Sequence, residues 1–169
     1  MAEIINRVAG SGIITLDLGE YYPKAEREAF DLSGQLWQGL VLKEKDFRTF
    51  IAENNWERYR NKHVALYCSV DALIPTWAYM LLASALQGIA TEVYYGNPEQ
   101  MESVLWTEVL QKLNPEDFRD ARVVVKGCAD KPVSPQAFVL ISFKLKPVVK
   151  SLMFGEPCST VPVYKQSKS

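Results

Sequence analysis

Histidine is almost absent from this chain: His63 is the only one among 169 residues. Cysteine–histidine and serine–histidine–aspartate catalysis therefore have one residue to draw on, and His63 begins a predicted strand, away from the strand ends where sites form. Cysteine is scarce as well, three in all, with no CxxC pair. An odd number of cysteines in a reducing compartment argues against a disulfide framework. Charge of either sign is not in excess. The formal net charge of −1 and pI near 5.9 give no general attraction for nucleic acid or an anionic membrane, and neither partner is expected. No apolar run reaches the ~20 residues that a bilayer span needs; the most apolar stretch, residues 76–90, is interrupted by Gln87. The first residues, MAEIINRVAG, carry an early glutamate and lack a signal-peptide core, so a cytoplasmic protein is expected. No phosphate loop, GxGxxG, HExxH or GxSxG is present.

What is present is an ordinary globular composition, 48% hydrophobic and 23% charged, on a chain that suits one domain over residues 1–169. Residues 12–17 (GIITLD) read as a strand, 28–32 (EAFDL) as a second and 36–42 (LWQGLVL) as a third, separated by turn signals. Together they predict an N-terminal β-ribbon. Phe47, Phe50 and Ile51 then recur at helical spacing. Residues 63–68 (HVALYC) form the next strand. Pro75 opens a mostly apolar helix running to about Gln87. A strand follows at 92–95 (EVYY). Asn97 caps a helix whose buried stripe is Leu105, Val109, Leu110 and Leu113.

The pattern then begins again. A shift of 59 residues superposes residues 64–98 on 123–157 without a gap, with seven identities that include Asp71/Asp130, Gly96/Gly155 and Pro98/Pro157. Ordinary residue usage gives roughly two in such a window. Turn residues match as well as apolar ones, which favours an internal repeat, about 42–98 and 101–157, over a chance likeness of two strand–helix–strand units. The expected fold is α/β: a tandem αβαβ repeat with a mainly parallel sheet flanked by helices, plus the N-terminal ribbon. Residues 166–169 read as a flexible tail.

In a parallel sheet, ligands bind beyond the carboxyl ends of the strands. Four segments fall at such ends: 68–71 (CSVD), 96–98 (GNP), 127–132 (GCADKP) and 155–160 (GEPCST). All three cysteines lie in them. Cys68, Cys128 and Cys158 are thus candidate ligands for an iron–sulfur cluster or transition metal, with carboxylates nearby. Against a shared cage, Cys68 aligns with Gly127 and Cys128 with Ser69, a one-residue offset that turns the two side chains to opposite faces. Buried or semi-buried structural cysteines are the simpler, competing reading. Asp71, Asp130, Lys131, Gly155, Glu156, Ser159 and Thr160 are candidate ligand-binding residues. A thiol nucleophile at Cys128 or Cys158 with Lys131 assisting is also open, as is anion binding by Ser159 and Thr160, while a solvated loop role for Lys131 and a loop or cap role for Asp71 and Asp130 are the simpler readings.

Two resemblances extend this. GLVLKEKDFR (39–48), VDALIPTWAYMLLAS (70–84), KGCADKPV (126–133) and GEPCSTVPVYK (155–165) resemble an uncharacterised bacterial family known as a domain of unknown function. Its members are often encoded near sulfur-mobilisation (Suf) iron–sulfur assembly genes. The resemblance implies a cytoplasmic accessory protein whose partners include the assembly machinery, with a homodimer compatible. Residues 30–113 are similar in pattern to a STAS domain, without that family's phosphorylatable Asp-Ser pair; this implies a non-enzymatic interaction module without cofactor.

Overall fold

In the computed structural model, residues 6–7, 12–24, 26–127 and 130–167 are described. Along the chain run β1 (Asn6–Arg7), β2 (Ile13–Asp17), β3 (Arg27–Asp31), α1 (Glu44–Glu53), β4 (His63–Tyr67), α2 (Thr76–Leu86) and β5 (Glu92–Tyr95). They are followed by α3 (Pro98–Gln111), β6 (Arg122–Lys126), α4 (Pro135–Leu145), β7 (Ser151–Glu156) and β8 (Ser159–Lys165). The class is α/β, as the alternation of strands and helices requires.

Two compact units divide these elements. One, the inserted unit, is Lys24–Glu102. The other is discontinuous, built from Met1–Pro23 and Ser103–Ser169. The inserted unit holds a three-stranded sheet in the order β3-β4-β5, all parallel. The discontinuous unit holds β1-β2-β6-β7-β8, in which β2, β6 and β7 are parallel and the outer strands antiparallel. β2, β4 and β6 each bury three consecutive residues, as strands covered on both faces do, whereas β3, β5 and β7 are more exposed. Val64, Val123 and Val124 are fully buried.

The elements of the two units match at the 59-residue spacing. His63–Tyr67 falls on Arg122–Lys126, Thr76–Leu86 on Pro135–Leu145, and the 3-10 turn Trp56–Tyr59 on Pro115–Phe118. Asn61 and Asp120 both take a left-handed backbone, at φ 60° and 58°. Their amides donate to Ile89 O at 2.9 Å and Val148 O at 2.8 Å. Asn and Asp tolerate that conformation better than most residues. The first strands also match each other: β2 and β3 each end in an aspartate whose carboxylate accepts from the backbone two residues on, Asp17 from Gly19 and Asp31 from Ser33.

Each unit has its own core. In the inserted unit Phe30, Phe47, Trp56, Val64, Leu82 and Leu86 pack together. In the other, Leu16, Trp106, Phe118, Val123, Ile141 and Leu145 do. Side chains buried this fully contribute about 1.5–3 kcal/mol each. Of the stripe predicted on α3, Leu105, Leu110 and Leu113 are buried; Met101 and Trp106 join them.

Two expectations for the N-terminal region change. Among the described N-terminal residues β1 and β2 form an antiparallel ribbon, whereas β3 pairs parallel with β4. The strand expected over 36–42 is absent. Gln38 and Gly39 take φ 51° and 70°, which folds the chain back so that Trp37 and Val41 bridge each other. Two consecutive left-handed residues make a reversal, not a strand.

Candidate functional site

A cleft of about 580 Å³ opens beyond the carboxyl ends of β4 and β5 in the inserted unit. The loop 67–74 lines one side, and Tyr79, residues 95–97 and Gln100 the other. The loop is anchored at its start. Asp31, at the end of β3, accepts from Ser69 N at 3.0 Å while also accepting from Ser33 N at 2.9 Å. Burial pushes the Asp31 carboxyl up, but the hydrogen bonds from Ser69 and Ser33 outweigh it and hold the group below its ordinary range.

The opposite side is a helix start. Asn97 and Gln100 cap α3 reciprocally: Gln100 N donates to Asn97 Oδ1 at 2.9 Å, and Asn97 N to Gln100 Oε1 at 2.8 Å. This is a capping box with an amide in place of the acid. Gly96 precedes it at φ 125°, where a Cβ would meet Gln100 Oε1 at 2.7 Å. The two amides are therefore spent on the chain's own side chains.

Tyr79 and Tyr95 stand edge to face with ring centroids 5.0 Å apart. Burial raises the Tyr79 phenol above its usual pKa, with Tyr95 and Cys68 adding to the rise, so it stays protonated near neutral pH. Beyond the pair lies a second hollow of about 550 Å³, lined by Leu66, Ile74, Met80, Ala83 and Val93 with both tyrosines.

The discontinuous unit has a cleft at the matching place, also about 580 Å³, with Asp130, Lys131, Val133, Phe138 and Phe154 in its lining. Phe138 and Phe154 repeat the edge-to-face contact at 5.6 Å. Lys131 Nζ donates to Gly19 O at 3.3 Å and lies 5.9 Å over the Tyr22 ring.

The model of a family described as a protein of unknown function (DUF2480) matches residues 2–166. The chain belongs to that family. No curated protein and no solved structure matches it.

Of the candidate residues, Cys68 and Asp71 lie together in the first cleft of this DUF2480 chain, and Asp130 and Lys131 in the second. Gly155 and Glu156 end β7, and Ser159 and Thr160 begin β8, so residues 155–160 close a hairpin. Glu156 pairs with Lys126, which also meets Asp17. Cys158 sits exposed at the tip. Gly96-Asn97-Pro98 and Gly155-Glu156-Pro157 thus share a glycine and proline yet lead to different structures, a helix and a strand. Cys128 lies outside the described residues. Among the described residues no group of three or more His, Cys, Asp or Glu is arranged to hold a metal ion. His63 opens β4 while Cys68 follows its end, and His63 Nδ1 lies 2.8 Å from Tyr94 Oη. Among the described residues no helix is long and apolar enough to cross a membrane.

Tyr79, Tyr95 and Gln100 were not among the sequence candidates. The signals were present: Asn97 and Gln100 have capping-box spacing, and Tyr79 and Tyr95 gain hydroxyls relative to Phe138 and Phe154.

Proposed function

We propose that this DUF2480 protein is a non-catalytic binding module whose ligand occupies the strand-end cleft of the inserted unit. The observation that carries it is the composition of that cleft: hydrogen-bonding groups, an aromatic pair and an adjoining apolar hollow, with Cys68 at the other end of β4 from His63. Cys68 also supplies the test. It lines the cleft and is half-buried, whereas Cys158 is exposed on the hairpin of the other unit. The dialysable fraction of a cell lysate is expected to slow alkylation of Cys68 and leave Cys158 unchanged, read peptide by peptide. An unchanged Cys68 rate overturns the reading.

One observation favours a second reading. Cys68 follows β4 and Cys158 follows β7, both at strand ends, which suits a cytoplasmic accessory protein for iron–sulfur or other metal metabolism, acting through protein partners. Anaerobic reconstitution with iron and sulfide, followed by visible absorption and metal analysis, tests it. A colourless, metal-free protein defeats it.

A further inference from the structure

The polar cleft and the apolar hollow of the inserted unit adjoin, sharing Ile74, Tyr79 and Tyr95. Among the described residues Asp71 is the only charged side chain in either lining, and no lysine, arginine or histidine is among them. An anion here meets a carboxylate, and the amides of Asn97 and Gln100 that might have received it are already hydrogen-bonded. A cation meets the reverse: a carboxylate and two phenol rings, one of them, Tyr95, 80% exposed. Ring faces attract ammonium groups, more strongly as water is excluded.

We propose that this cleft binds an organic ammonium ion bearing an apolar chain, with the ammonium at Asp71, Tyr79 and Tyr95 and the chain in the hollow beside Met80 and Val93. The inference rests on the reading of the cleft as the binding site and names its ligand class. The other unit carries a built-in contrast. At the 59-residue spacing Asp71 corresponds to Asp130, but Ala72 corresponds to Lys131. A cation at the second cleft meets a like charge, so binding is confined to the inserted unit.

The test is an NMR titration of the full chain with hexyltrimethylammonium, hexanoate and 1-hexanol. The ammonium is expected to shift residues 68–74 and 95–100 and to bind about 3- to 10-fold more tightly than the alcohol, with hexanoate weakest. Asp71→Asn and Ala72→Lys should each weaken the ammonium by about that factor and leave the alcohol unchanged. Hexanol or hexanoate binding the cleft as well as the ammonium overturns the inference and leaves the binding-module reading standing. Ammonium shifts centred on 130–138 overturn it as well. No shift in the cleft from any of the three overturns the inference and counts against the reading itself.

Discussion

Asp31 Oδ1 accepts from Ser69 N across 38 residues of sequence, fastening the first strand of the inserted unit to the loop that forms its cleft. The same oxygen caps the 3-10 turn Leu32–Gln35 through Ser33 N. Asp31→Ala removes the acceptor for both and is expected to cost on the order of 1 kcal/mol at pH 7 by urea denaturation. Asp31→Asn keeps an acceptor and removes the charge. The folded carboxyl titrates below its unfolded value, so its contribution is complete above the unfolded pKa and is lost as pH falls through the folded one. The stability difference between wild type and Asp31→Asn should therefore shrink on acidification below the ordinary aspartate value of 3.8. A difference that stays constant from neutral to acid pH contradicts this.

The cap of α3 is held from both directions by Asn97 and Gln100. Gln100→Ala frees the Asn97 amide, and Asn97→Ala frees the Gln100 amide. Each is expected to destabilise by about 0.5–2 kcal/mol. The double variant should cost less than the sum, since the pair orients itself. Strict additivity in thermal or chemical melts is the result that speaks against a coupled box.

Gly155 is required by geometry. Its φ is 119°, and a Cβ there would lie 2.6 Å from the backbone oxygen of Ser159, which cannot move without opening the hairpin. Gly155→Ala is expected to cost about 1–3 kcal/mol. Gly34→Ala is the control, since its Cβ meets nothing within 4 Å. It should change stability by no more than about 0.5 kcal/mol. Equal effects at the two positions are incompatible with the argument.

These residues also mark what the sequence could tell. The helices and middle strands were legible because apolar periodicity and turn residues are local: Glu92–Tyr95 and the α3 start at Pro98 were readable to the residue. The partner of a strand is not local. Nothing in GIITLD or EAFDL says that each pairs parallel with a strand distant in sequence, so composition alone predicts a ribbon. LWQGLVL misled by its β-branched and apolar content, because a left-handed Gln38 leaves no compositional trace. The strand-end rule led to Cys68 and Asp71. The same rule picks out residues 155–160, where β8 returns antiparallel to β7 instead of a helix leaving the sheet. The Tyr79–Tyr95 contact joins a helix to a strand, so it becomes visible only once both are folded.

Lys144 offers a test confined to the discontinuous unit. Its Nζ donates to Leu110 O at 2.9 Å and Gln111 O at 2.7 Å, carbonyls of the last turn of α3, of which Leu110 O also accepts from Leu113 N at 3.2 Å. A cation there also opposes the negative end of the helix dipole. The matching position in the inserted unit is Ala85, so the bond is not part of the shared pattern. Lys144→Met keeps the aliphatic stem and removes the donor. It is expected to lower stability by about 1 kcal/mol, with the urea midpoint falling and the slope unchanged. The dipole part is screened by salt and the hydrogen bonds much less so, so most of the loss should persist at high ionic strength. A loss that vanishes in salt assigns Lys144 a purely electrostatic role, and no loss at all means that water serves the two carbonyls equally well.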